Sequence, residues 1–347
     1  MKITAIGLGK PFFNYPKSYG CKKATVSAPQ SKGADIFCFK GGNLSDRIGI
    51  VTTTKPTPLE RSLEKQLGVK PLETTVKKFQ NGEIYVNIGG NIKGKDIYLM
   101  PAGGKNVNDN LMETYLKADA AKRAGARKVV AVMPNFDYAR QEKRLVKGEP
   151  IAAKLNMDLL KTSGVDEVIT ADMHALSIEG FAPRGMAVDH IEAMPIMQKY
   201  IQDKHLGDVV IVSPDLGGTK RTEKMAKSLG CDKAIVYKHR QAHNEATAVD
   251  IIGDVNGKTC VLYDDIIDTA GTISEAASLL NKKGAKDIYV MATHGLFNGS
   301  ALQKLEEAPV KEVVVTNSVP TNGKTADKIK RLDIAPQIAD VINSISG

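Results

Sequence analysis

From Ile48 onward, short β-rich runs alternate with helical stretches: IGIVTTT, TPLERSLEKQLG, DIYLMPAG, NDNLMETYLKADAAKRAGA and KVVAVMPNF follow one another. Such alternation argues for a parallel sheet with crossover helices. The pattern starts again with VVIVSPD, TEKMAKSLG, KAIVYKH, KTCVLYDD, the helical TISEAASLLNKKGA, DIYVMATHG and EVVVTNS. Two α/β units of similar size are therefore expected in tandem. A length of 347 residues agrees, since it exceeds what one core comfortably supports.

Ahead of this pattern, residues 1–47 mix Gly, Pro, Ser and Lys with few acidic residues (Asp35, Asp46), as expected of an extension to the main fold. A disordered or strand-like extension explains that composition, and so does an organellar targeting segment. No apolar run is long enough for a membrane span, and no signal peptide is recognisable, so a cytoplasmic protein without a membrane partner is expected, or an organellar one if the extension is a targeting segment. The cysteines Cys21, Cys38, Cys231 and Cys260 lack C-x-x-C spacing, which fits reduced thiols. A net charge of +9 draws polyanions, whether nucleic acid, nucleotide or sugar phosphate. With 5% aromatics and no Trp, platforms for stacking bases are scarce, and nucleic acid is not the expected partner.

The most informative stretch is VLYDDIIDTAGTI, residues 261–273. Asp264 and Asp265 are read as the end of a buried strand, where adjacent carboxylates are costly unless they meet hydroxyls, cations or solvent. They suit a polyol bound near a metal. Asp268, Thr269, Ala270, Gly271 and Thr272 then form a small-residue turn into a helix, where backbone amides and the helix dipole receive a phosphate. Together they read as a sugar-phosphate site; an acidic strand end followed by a helix-capping Thr is the plainer alternative.

This stretch resembles the phosphoribosyl pyrophosphate signature shared by type I phosphoribosyltransferases and ribose-phosphate pyrophosphokinases. Further segments separate the two. KKFQNGEIYVNI is similar to the pyrophosphokinase adenine-contacting segment, which implies ATP contacts for Phe79, Asn81 and Glu83; by itself it reads as core plus a hairpin turn. In DYARQEKR, Arg140 and Gln141 match an ATP-contacting pair, a guanidinium being a fixed fork of donors for phosphate; a solvated helix face is the alternative. TADMHALSIEGF carries the D-x-H of the family as Asp172 and His174. In VSPDLGGTKR the resemblance implies Mg²⁺ coordination by Asp215, with Gly217 and Gly218 allowing close backbone approach. YKHRQAHNEA resembles the family's catalytic loop, with Lys238 and Arg240 at its K-x-R positions.

The resemblance implies two tandem type I phosphoribosyltransferase-like domains with mainly parallel sheets flanked by helices. Their expected bounds are 48–190 on the ATP side and 191–335 on the ribose 5-phosphate side, with 336–347 a C-terminal helix returning toward the first. It further implies in-line attack of the ribose 1-hydroxyl on the β-phosphorus of ATP, giving phosphoribosyl pyrophosphate and AMP for nucleotide synthesis. Lys238, Arg240 and His174 would be the catalytic groups. Asp264, Asp265 and residues 268–272 would hold ribose 5-phosphate, and His174, Asp215 and Asp172 would serve Mg²⁺. Family members assemble as homo-oligomers, commonly hexamers built from dimers. The effector site for ADP and phosphate is expected to be altered, since Leu145 and Gly148 depart from the family pattern and the sequence ends VINSISG. Survival of K-x-R, D-x-H and DTAGT favours an enzyme over a non-catalytic associated subunit.

Overall fold

The computed structural model describes residues 43–100, 103–240, 247–321 and 323–346. The elements begin with α1 (Leu44–Arg47), β1 (Ile48–Val51), α2 (Pro58–Leu67), β2 (Thr74–Lys78) and β3 (Ile84–Ile88). There follow β4 (Asp96–Leu99), α3 (Val107–Arg123), β5 (Lys128–Val132), α4 (Ala152–Thr162), β6 (Glu167–Ala171) and β7 (Ala187–Ile191). Strands β1-β4-β5-β6-β7 form a five-stranded sheet in that order, every neighbour parallel. β2 and β3 stand apart as an antiparallel hairpin.

The chain continues through α5 (Met194–Asp203), β8 (Val209–Ser213), α6 (Thr219–Leu229), β9 (Asp232–Arg240), β10 (Thr247–Ile252) and β11 (Thr259–Ile267). Then come α7 (Gly271–Lys282), β12 (Asp287–Gly295), α8 (Ala301–Glu307), β13 (Glu312–Thr316), β14 (Ile329–Leu332) and α9 (Ala335–Ser346). This second sheet has seven strands in the order β10-β9-β8-β11-β12-β13-β14, parallel except for the β9–β10 pair. The α/β architecture with mainly parallel sheets flanked by helices is thus as the alternation implies.

Because side chains alternate across a strand, each sheet feeds a core on both faces. In the first sheet, Val130 and Val132 of β5 join one core, while Val129 and Ala131 join the other. Among the helices that cover these faces, α2 is started by local chemistry. Thr57 caps α2 in a reciprocal capping box with Glu60, and Pro58 follows at the first helical position. The apolar stripe Ile334, Ala335, Ile338, Ala339 and Ile342 at α9 recurs every three to four residues and lies with Ile48, Ile50 and Tyr98 of the first sheet. The buried Tyr98 hydroxyl meets Ser346 Oγ at 2.7 Å.

Three segments differ from their sequence reading. β11 does not stop at the aspartates but runs through both to Ile267, because β12 pairs with it all the way to Ile267↔Gly295. β8 leaves it at Leu262↔Val212, so beyond that point one edge of β11 is open. DYARQEKR is a turn-rich loop rather than a helix face, with Tyr138 at φ 66°. Phe79 sits at the hairpin turn but not in a core, being 57% exposed.

Candidate active site

The C-terminal ends of β6 and β12 meet, and their contacts fix the D-x-H segment atom by atom. Asp172 follows β6 at φ 36°, a left-handed conformation that a non-glycine residue holds only when its surroundings enforce it. Its Oδ2 accepts from the Ala193 amide at 3.1 Å and from the Thr293 hydroxyl. The Met173 amide donates to His190 Nε2 at 3.1 Å, so the His190 proton sits on Nδ1, facing Glu179 at 3.1 Å. Behind them the buried His294 has Nε2 3.0 Å from the Ala171 carbonyl and Nδ1 2.9 Å from Ser318 Oγ, whose hydroxyl also lies 3.0 Å from the Thr293 carbonyl. Burial lowers the His294 pKa, which keeps the ring neutral.

His174 reaches across to the second sheet, its Nδ1 2.8 Å from Asp265 Oδ2. The carboxylate accepts the Nδ1 proton, which leaves Nε2 for a ligand. This hydrogen bond raises the His174 pKa against the opposing effect of burial. Arg221 lies beneath, 3.1 Å from Asp264 Oδ1 and 3.1 Å from Asp265 Oδ1. One guanidinium thus serves two carboxylates, Asp265 buried and Asp264 half-buried. Burial, reinforced by Asp265, pushes the Asp264 carboxyl up from the usual carboxylate range. Burial acts the same way on Asp265, but the His174 hydrogen bond and the Arg221 charge outweigh it and hold that carboxyl low.

After Ile267 the chain turns through residues 268–270 and enters α7, whose first turn carries Gly271 and Thr272. The helix is preceded by Ala270 at φ 59° and has no side-chain cap, so a capping Thr does not explain the segment. Its first-turn N–H groups lack intrahelical partners and face the loop. A cavity of about 570 Å³ joins this loop to Asp264, Arg221 and Asp215. Asp215 Oδ1 accepts from the Gly218 amide at 3.1 Å. A second cavity, of about 290 Å³, shares Arg140, His174 and Asp265 with the first and extends to Gln141 and Asp137. Arg140 Nη1 lies 2.7 Å from Asp268 Oδ2 at their junction.

Residues 48–164 match the N-terminal domain of ribose phosphate pyrophosphokinase, and residues 219–347 match the phosphoribosyl synthetase-associated domain. The ribose-phosphate pyrophosphokinase of Clostridium acetobutylicum is 43% identical over 306 residues, 87% of this chain and 95% of that one. The chain belongs to the ribose-phosphate pyrophosphokinase family. Ribose-phosphate pyrophosphokinase A of Dictyostelium discoideum is 41% identical over 302 residues, covering 86% of this chain and 95% of the relative. The crystal structure of phosphoribosylpyrophosphate synthetase from Mycobacterium smegmatis superimposes with a TM-score of 0.81 at 37% identity, covering 86% of this chain and 98% of that one.

Of the residues singled out on the family pattern, Arg140, Gln141, Asp172, His174, Asp215, Gly217, Gly218, Asp264, Asp265 and residues 268–272 line the two adjoining cavities. Phe79, Asn81 and Glu83 do not. They occupy the β2–β3 turn, where Phe79 stacks edge-on against Tyr85 at 6.3 Å and Asn81 Oδ1 accepts the Glu83 amide at 3.2 Å. Lys238 and Arg240 fall on the last positions of β9, opposite Val249 and Thr247 of β10; their side chains lie outside the described residues, as does the 1–42 portion of the extension. Among the described residues no three His, Cys, Asp or Glu side chains are grouped to hold a metal; Asp172 and His174 share one loop and Asp215 another. Nor is any helix of these residues long and apolar enough to cross a membrane. Gly148 adopts φ 96° with open space around it, and Leu145 is exposed.

Sequence reasoning missed Arg221, Thr293, His190, His294 and Asp137. Arg221 stood within the VSPDLGGTKR motif, one turn into the helix behind Asp215. Thr293 and His294 stood at a strand C-terminus, where open α/β sheets place their ligands. Nothing in the sequence pairs His190 with Met173 or puts Asp137 under cover.

Proposed function

We infer that this chain transfers the β,γ-diphosphate of ATP to ribose 5-phosphate, releasing phosphoribosyl pyrophosphate and AMP. The observation that carries the reading is the pair of adjoining cavities that share His174 and Asp265, one with a phosphate loop beside paired carboxylates, the other with Arg140 and Gln141. Two anionic substrates thus meet at one imidazole. In this reading the segment 48–190 serves ATP and 191–335 serves ribose 5-phosphate.

The sugar phosphate seats on the amides of residues 268–272, and Asp264 and Asp265 take its ring hydroxyls. The ribose 1-oxygen attacks the β-phosphorus; that O–P bond forms as the bond to the α-phosphate bridge breaks, and AMP departs with the bridging oxygen. The hydroxyl proton passes to solvent. Positioning and charge neutralisation supply most of the acceleration. Lys238 and Arg240 close over the transferring group, and Arg140 and Gln141 hold the nucleotide.

The donor set suits Mg²⁺, which keeps several waters and takes few carboxylates. The Nε2 of His174 would hold one Mg²⁺ on ATP, with Asp172 steadying the histidine loop, and Asp215 with Asp264 would hold a second at the ribose. When bound, Mg²⁺ supplies charge neutralisation on the phosphoryl oxygens and polarises the attacking hydroxyl. Its carboxylate–imidazole support is present already in the Asp265–His174 bond.

A homo-oligomer, a hexamer or its dimer building block, accounts for the hairpin. Phe79, Asn81 and Glu83 stand at an exposed turn away from their own chain's cavities, where a second copy's nucleotide can reach them. The unpaired Cys231 and Cys260 fit a reducing, cytoplasmic setting.

Incubation of the purified chain with ATP, Mg²⁺ and ribose 5-phosphate should release AMP and phosphoribosyl pyrophosphate in equal amounts. Lys238→Ala should cut the rate by roughly 10² to 10³, the usual loss of one preorganised charge. A folded protein that forms no AMP under these conditions sinks the reading.

A further inference from the structure

Asp268 opens the phosphate loop, and its two carboxylate oxygens are engaged by different parts of the molecule. Oδ2 takes Arg140 Nη1 at 2.7 Å. Oδ1 takes Asn298 Nδ2 at 2.8 Å, and the Asn298 backbone amide donates to the Asp268 carbonyl, also at 2.8 Å. Asn298 is held in turn by Lys324, whose Nζ donates to Asn298 Oδ1 at 2.8 Å and to the Leu296 carbonyl at 2.5 Å. Arg331 secures that end, with Nη2 3.3 Å from the Lys324 carbonyl and its guanidinium 5.6 Å from the Phe297 ring.

The amide orientation carries the logic. An ammonium only donates, so Lys324 requires Oδ1 of Asn298 and directs Nδ2 at Asp268. With the amide reversed, an oxygen would face a carboxylate. Asp268 also carries a negative charge at the mouth of a loop built to receive a phosphate, and Arg140 together with the Asn298 amide offsets it.

We propose that Asn298 and Lys324 are positioning residues that hold the Asp268 carboxylate on Arg140 and so couple the nucleotide cavity to the phosphate loop. The inference rests on the reading that Arg140 contacts ATP and that residues 268–272 take the phosphate of ribose 5-phosphate. Asn298 lines the nucleotide cavity, but its amide is committed to Asp268 and Lys324, so both side chains act through Asp268.

The test compares Asn298→Ala, Lys324→Met and Lys324→Arg in the full chain, with KM for both substrates, kcat, thermal midpoint, and ribose 5-phosphate binding by calorimetry. Losing a hydrogen bond to a charged group should raise KM for both substrates roughly 10- to 100-fold, with a smaller change in kcat. Lys324→Arg, which keeps a donor, should recover most of the loss. In an Arg140→Ala background, Asn298→Ala should add nothing further to the KM for ATP. Variants that lower the thermal midpoint while leaving both KM values and ribose 5-phosphate affinity unchanged overturn the proposal, as does a full additional loss in the Arg140→Ala background. A parent chain that binds ribose 5-phosphate without forming AMP defeats the reading of the activity alone, and the calorimetry then decides this proposal. A parent that does neither defeats both.

Discussion

Asp137 is buried, 7% exposed, at the far end of the smaller cavity, and among the described residues no hydrogen-bond or ion-pair partner meets its carboxyl. Burial pushes its pKa up to about 7. A carboxyl whose folded pKa is raised favours the protonated folded state, so stability falls as pH rises from its unfolded value near 4 through about 7 and stays low above that. Asp137→Asn should therefore raise the unfolding free energy at pH 8, read from denaturant titration, by up to roughly 4 kcal/mol, and the gain should shrink toward pH 5. Equal pH profiles for parent and variant would show that solvent or a ligand already meets the charge. Legibility at this level divides along a clear line. DTAGT, D-x-H and the Asp264–Asp265 pair are contiguous, so their chemistry can be read directly. The His174–Asp265 and Arg221–Asp264 contacts join side chains 91 and 43 positions apart, and only the fold creates them.

The start of α6 shows how an element's packing can demand a residue type. Gly218 has ordinary backbone angles, but a Cβ there would lie 2.7 Å from Ser213 Oγ. That hydroxyl donates to the Asp215 carbonyl at 2.7 Å, so the turn presenting Asp215 has no room for a methyl group. Gly218→Ala should cost about 1–3 kcal/mol through overpacking and raise the KM for ribose 5-phosphate. Adding Ser213→Ala should recover stability if the clash is the cause; a double variant as unstable as the single one points elsewhere. The quoted strands and helices were legible because hydrophobic period and capping residues act locally. The extension of β11 through two aspartates was not, since its pairing with β12 overrides the poor strand preference of Asp. DYARQEKR was equally opaque, its turns being held by contacts with distant loops such as Arg140–Asp268.

Across the molecule, the first sheet owes one of its two covers to α2 and to α9, the last helix among the described residues. Ile338 is fully buried among Ile48, Ile50 and Leu63, so Ile338→Ala should cost 2 to 5 kcal/mol, an estimate of about the usual size for a large-to-small core change. Denaturant titration checks this, and a loss under about 0.5 kcal/mol would mean that the helix adds little to the sheet. The tandem α/β plan was visible in the repeated alternation of strands and helices. That residues 334–342 complete the first core was not derivable from periodicity, which describes a helix's apolar stripe without saying which sheet it meets. The order of synthesis gives that arrangement a cost. All five strands of the first sheet have been made once Ile191 emerges from the ribosome, yet α9, which completes the cover that α2 begins on one face, starts only at Ala335. At typical elongation rates the part of that face reserved for α9 therefore stays uncovered for roughly 7 to 30 s while the second sheet is being translated, a window in which α2 is the helix already in place to shield it.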